Sequence, residues 1–147
     1  MSEPIVLVVA SEGARTPEYR SAGAAGADLR ACIAEPILLG PGERRAIPTG
    51  ISLEIEEGHE GQIRPRSGLA LEHGLTCLNS PGTIDADYRG EIMVIMINLG
   101  KEAVTISRGD RIAQLVVAPV ARAEFRTVVA LGDTLRGAEG FGSTGLR

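Results

Sequence analysis

The 147-residue chain contains no tryptophan and only four other aromatic residues, Tyr19, Tyr88, Phe125 and Phe141. Its interior must therefore be assembled from Val, Ile, Leu and Ala, which suits a β-rich core. Lysine is almost missing: Lys101 is the only one among 15 basic residues. With 19 acidic residues the net charge is −4, which argues against a broad nucleic-acid or anionic-membrane surface. A local arginine cluster for a small anion is still open, because guanidinium forks pair bidentately with phosphate or carboxylate. Simple compositional drift from Lys to Arg carries equal weight at this point.

Cysteine and histidine are scarce. Cys32, Cys77, His59 and His73 show no zinc-ligand spacing, and no serine sits in a nucleophile elbow. Long apolar runs are absent too, the longest being about six residues (5–10 and 92–97), where a membrane span needs ~18. No signal peptide is expected, since Met1-Ser2-Glu3-Pro4 leads straight into an apolar run. The expectation is a cytoplasmic protein with reduced, buried thiols. Helix breakers, in contrast, are abundant: 19 Gly and 8 Pro exclude a helical bundle. The length fits one domain over residues 1–147, able to bury roughly 70% of its unfolded surface without disulfides or metal.

Short apolar runs separated by turn residues predict strands over 4–9, 28–33, 37–39, 44–47, 51–55, 62–64, 75–78, 91–99, 104–106, 111–118 and 124–129. Pro48-Thr49-Gly50 reads as a turn between two of them. One short helix is predicted over 68–73, with Ser67 as N-cap and Gly74 as its stop. Residues 132–147 are glycine-rich and read as a mobile tail. The fold class is all-β, a sandwich or jelly roll with a single helical turn.

Three segments carry candidate chemistry. Arg64-Pro65-Arg66-Ser67-Gly68 combines guanidiniums, a hydroxyl and a helix N-terminus, an arrangement suited to phosphate; a plain capped helix is equally consistent with it. Gly82-Thr83-Ile84-Asp85-Ala86-Asp87-Tyr88-Arg89-Gly90 holds two of only five aspartates. If extended, it puts Asp85 and Asp87 on one face, for a divalent metal or a general base. Asp in a plain turn is the common alternative. Residues 140–145 spell a literal G-x-G-x-x-G, but no helix can follow so near the chain's end, and no Lys makes it a P-loop. What remains is a strip with Arg136, Phe141, Ser143 and Thr144, able to act as a lid, although a plain disordered tail is the more frequent reason for such composition.

Taken in order, five stretches closely resemble the homotrimeric deoxyuridine triphosphate nucleotidohydrolases, the dUTPases. They are Ala25-Gly26-Ala27-Asp28-Leu29, Pro65-Arg66-Ser67-Gly68-Leu69-Ala70, Gly82 to Gly90, Arg108-Gly109-Asp110-Arg111-Ile112-Ala113-Gln114, and Arg136 to Gly145. The resemblance spans nearly the whole chain. It implies a dUTPase-like distorted jelly roll assembled as a trimer, with residues 132–147 closing over a neighbouring subunit's site. The implied reaction cleaves dUTP to dUMP and pyrophosphate with Mg²⁺, keeping uracil out of DNA and supplying dUMP for thymidylate synthesis.

By the same resemblance Asp85 is the general base that deprotonates the water attacking the α-phosphorus, and Asp87 is its structural partner. Asp28 reaches Mg²⁺ through water, the ion being held mainly by the phosphates. Arg66, Ser67, Gly68, Gln114 and Arg136 neutralise the triphosphate, with Arg136 similar to an arginine finger. Gly142, Ser143 and Thr144 grip the terminal phosphates. Asn79, Thr83 and Ile84 match the hairpin that pairs with uracil, Tyr88 packs under the deoxyribose, Met93 lines the pocket and Phe141 stacks on the base. One departure stands in the tail, where Ala138-Glu139-Gly140 replaces a run of small residues before Phe141. A deoxycytidine triphosphate deaminase on the same fold and a non-catalytic nucleotide-binding β-module are the competing readings.

Overall fold

Alternation decides the architecture. From 47 to 55 and from 92 to 98 every second residue is buried, and in the computed structural model, which describes residues 2–145, both stretches lie in long paired strands. The elements run β1 (Val6–Ala10), β2 (Ala27–Arg30), β3 (Ile37–Leu39), β4 (Arg44–Ile55), β5 (His59–Arg64), α1 (Ser67–His73), β6 (Leu75–Cys77), β7 (Gly82–Ile84), β8 (Glu91–Asn98), β9 (Val104–Ile106) and β10 (Arg111–Pro119). There are two four-stranded antiparallel sheets, β1-β4-β8-β6 and β2-β10-β5-β7, and a separate two-stranded sheet, β3-β9. Their inward faces share one core, with Ile47, Leu53, Ile92 and Val94 from the first sheet and Leu29, Ile63 and Leu115 from the second. Not one aromatic belongs to it, as composition required. The all-β class with one short helix is what the chain adopts.

Several local expectations change. Pro48-Thr49-Gly50 does not end a strand: β4 runs through it, and its pairing with β8 shifts register between Pro48 and Ser52. Side chains supply the bonds that the ladder loses there. The Thr49 hydroxyl donates to the Ile92 carbonyl at 2.6 Å, and the Gly50 N–H donates to the Glu91 carboxylate at 2.9 Å. Ser67 is not the N-cap but the first helical residue, Arg66 standing before it in an extended conformation. Gly74 does stop the helix, in the left-handed conformation with φ 68°. Residues 124–129 form no strand: among the described residues none pairs with them in a ladder.

Buried polarity is fully partnered at Asn98. Its amide N–H groups donate to the carbonyls of Leu39 and Glu102 at 2.9 and 2.8 Å, and its Oδ1 accepts from Gly100 at 2.8 Å. Among the described residues no helix is long and apolar enough to cross a membrane.

Cys77 is buried as expected, whereas Cys32 is only half-buried, and both are free thiols. Burial pushes the Cys77 thiol from its ordinary 9.0 up to about 11. Above pH 9 the unfolded chain ionises this thiol while the folded chain cannot, so the unfolded state binds fewer protons. Stability present below pH 9 should therefore decline between pH 9 and 11, by about 2–3 kcal/mol from this group. Denaturant titrations across that range check the expectation: Cys77→Ala should decline less steeply than the parent. An equal slope would remove the thiol as the cause.

Candidate active site

Three groups of candidate residues emerge. The first surrounds Asp28, on β2. Its carboxylate is 6% exposed and flanked by two guanidiniums, Arg111 NH1 at 3.2 Å from Oδ2 and Arg66 Nε at 3.8 Å from Oδ1. Burial of one charge between two opposite ones leaves a net positive cluster. Gln114 of β10 pairs directly with Asp28 across the sheet. It also packs so close to Gly26 that a Cβ there would collide with its amide, which accounts for the glycine. Arg66 is anchored by donating from NH1 to the Arg111 carbonyl at 3.2 Å. Its buried Nε is not hydrogen-bonded among the described residues, 3.8 Å from Asp28 being too long. Ser67 and Gly68 are exposed at the first turn of α1, where helix N–H groups have no intrahelical partner.

The second group follows β6. Asn79 lies over Gly82, and β7 carries Thr83 and Ile84 against Gln62 and Gly61 of β5. The strand stops there, so Asp85 and Asp87 do not share a strand face; they belong to a turn closed by Tyr88 N–H donating to the Asp85 carbonyl at 3.1 Å. Arg89 braces that turn by donating to the carbonyls of Ala86 and Tyr88. Both aspartates are exposed, and among the described residues neither carboxylate is hydrogen-bonded or ion-paired. The Tyr88 hydroxyl folds back to donate to the Glu91 carbonyl at 3.0 Å, across a Gly90 that has no Cβ to block it. Met93 stands two residues beyond Glu91 on the outward face of β8.

The third group is the tail. Arg136 Nε donates to the Glu139 carbonyl at 2.9 Å, and further turns close over 140–143 and 142–145. Phe141 is fully exposed with φ 51°, and Gly142, Ser143 and Thr144 are exposed beside it.

Within one chain these groups do not meet. Ile84 pairs with Gly61, three residues along β5 from Arg64, which pairs with Gln114, which pairs with Asp28. At about 3.3 Å per residue and about 4.8 Å per strand crossing, Ile84 and Asp28 stand roughly 17 Å apart. Among the described residues no three of His, Cys, Asp or Glu gather to hold a metal. A lone carboxylate already facing two arginines fits an ion carried on phosphates and reached through water, not a protein-built cage. Arg111 is the residue that sequence reading did not single out. Its position within Arg108–Gln114 was noted, but period-two parity separates it from Gln114.

A dUTPase family model matches residues 12–145. Curated relatives include the deoxyuridine 5'-triphosphate nucleotidohydrolase of Rhizobium etli, 56% identical over 97% of this chain and 92% of the relative. That of Bdellovibrio bacteriovorus is 63% identical over 88% and 87%. Among solved structures, a point variant of the Staphylococcus bacteriophage 80alpha dUTPase with dUpNHpp is similar at a TM-score of 0.87 and 28% identity, covering 97% of this chain and 99% of the other. A dUTPase variant from phage phi11 of S. aureus, described for its coordination of a structural Mg(II) ion, is similar at 0.77 and 27%, covering 86% and 97%.

Proposed function

The chain belongs to the dUTPase family, and from that premise we propose that it hydrolyses dUTP to dUMP and pyrophosphate. The observation that carries the reading is the net positive cluster of Arg66 and Arg111 around Asp28, beside Gln114 and the exposed start of α1. An acidic chain has there what a triphosphate needs: guanidinium forks and free N–H groups, including a buried Arg66 Nε with no hydrogen-bond partner among the described residues. Mg²⁺, when bound, would neutralise charge on the phosphates, and Asp28 would reach it through water.

Asp85 accepts a proton from the water that attacks the α-phosphorus. Its carboxylate is exposed and unengaged among the described residues, as a proton acceptor must be. Asn79 and the main chain of Gly82, Thr83 and Ile84 read uracil, so that cytosine, with donor and acceptor reversed, leaves polar groups unpaired, a mismatch worth about 10⁴–10⁵ in discrimination. Thymine's methyl is refused by close backbone. Tyr88 supports the deoxyribose, with Met93 along the pocket wall.

The site is shared among three copies. The roughly 17 Å between Ile84 and Asp28 supports this, since one chain cannot bring base-reading and phosphate-binding groups together. So do exposed apolar side chains with no cover in one chain: Met93 and Ile95 on β8, and Phe125, Val128, Leu131, Leu135 and Phe141 beyond β10. Residues 132–147 of one subunit close over another's site, bringing Arg136, Gly142, Ser143 and Thr144 to the phosphates and Phe141 to the base; Leu146 and Arg147 lie outside the described residues.

Pyrophosphate release measured side by side from dUTP, dTTP, dCTP and UTP, with Mg²⁺ and then with a chelator, tests the proposal. Release from dUTP alone, abolished by the chelator, is expected. Ammonia from dCTP would make the chain a deaminase, and no release from any nucleotide would leave only a binding module.

A further inference from the structure

In a regular strand Arg111 and Gln114, three residues apart, would point to opposite faces of β10. They do not, because the strand is bulged. Arg111 pairs with Arg30 and Ala113 with the next residue of β2, Leu29, so β10 carries one extra residue. Burial follows: Ile112 and Ala113, adjacent in sequence, are both buried, whereas Arg111 and Gln114 are half-buried. The bulge therefore turns the Arg111 side chain to Asp28, whose cross-strand neighbour is Gln114.

The segment before the bulge is tightly held. Gly109 N–H donates to the Ala31 carbonyl at 2.8 Å, and Ala31 N–H returns a bond to the Asp110 carbonyl at 2.9 Å. The Arg30 guanidinium adds a third, to the Gly109 carbonyl.

We infer that Arg111 is a positioning residue of the triphosphate site. Its guanidinium holds Asp28 Oδ2 at 3.2 Å, and its carbonyl accepts from Arg66 NH1 at 3.2 Å. One residue thus sets the orientation of both the carboxylate that faces the metal's water and the guanidinium that faces the phosphates. The Asp28 Oδ1 edge, 3.8 Å from Arg66, is left open for that water because Arg111 occupies the other oxygen. This inference rests on the dUTP reading.

The test compares binding of the α,β-imido analogue of dUTP with binding of dUMP, by calorimetry in Mg²⁺. Arg111→Ala should weaken the triphosphate analogue by ~10–100-fold, the range for removing a partner that orients a ligating group, and leave dUMP affinity unchanged. Arg111→Lys should fall between, keeping the charge but not the fork. Unchanged affinity for the analogue in Arg111→Ala would overturn the inference. So would equal loss of both ligands in Arg111→Ala and Arg111→Lys, which would mark a general structural role. Parent protein that binds neither ligand would defeat the dUTP reading itself, and the inference with it.

Discussion

Asp85→Asn is expected to bind a non-hydrolysable dUTP analogue as the parent does while losing hydrolysis by ~10²–10⁴-fold or more. Asparagine keeps the size and hydrogen-bonding reach of the side chain and removes only its capacity to take a proton. The backbone that presents it does not depend on the carboxylate. The turn is closed by Tyr88 N–H on the Asp85 carbonyl and braced by Arg89 on the carbonyls of Ala86 and Tyr88. Asp87→Asn on the same turn serves as the control and should cost far less, since Asp87 is assigned no proton. Single-turnover hydrolysis beside equilibrium binding separates the two effects. Undiminished turnover in Asp85→Asn would remove the general-base assignment.

Removal of residues 136–147 should reduce turnover by ~10³–10⁵-fold, by analogy with loss of an arginine finger, while the assembly and its thermal stability persist. Among the described residues Arg136 donates only to the Glu139 carbonyl three residues away, so its deletion breaks no bond to either sheet. Phe141 is likewise fully exposed and contributes nothing to the core. Sedimentation of the truncated chain beside its steady-state kinetics is the measurement. Dissociation of the assembly would make the tail a structural strap, not a lid. A mixing experiment adds a sharper check. Truncated chains and Asp85→Asn chains, each inactive alone, should regain activity when co-refolded, because some sites then combine an intact Asp85 with an intact tail. No recovery would mean that each site draws both from one chain.

Much of the fold was legible from local pattern. β3 and β9 fall on the predicted residues, and β8 and β10 differ from prediction by one residue at one end, because strict alternation or dense branched aliphatics leave few options. Prediction failed where a nonlocal partner decides. Residues 124–129 have strand composition but pair with no strand among the described residues. Pro48-Thr49-Gly50 has turn composition, yet β4 continues through it as an irregularity with Gly50 at φ 71°, because Thr49 and Glu91 replace the ladder bonds. The short β7 carried too few residues to show a period, and it exists through pairing with β5. The candidate site divides in the same way. Arg66, Asp85 and Arg136 could be named as candidates from local side-chain type and spacing, whereas Asp28 and Gln114 were reached only through the resemblance to the dUTPases.

The sequence by itself determined the aliphatic β-rich core and the order of the five motifs that resemble the dUTPases. Composition and short-range spacing suffice for each. Only the tertiary structure decided which of those residues meet. Strand pairing brings Asp28, Gln114 and Arg64 into one row and holds Ile84 roughly 17 Å from Asp28. A single inserted residue in β10 reverses side-chain parity and turns Arg111 to Asp28. Parity and register depend on contacts between segments some 50 to 85 residues apart in the chain, such as Asp28 with Arg111 and Arg64 with Gln114. No local window contains both partners.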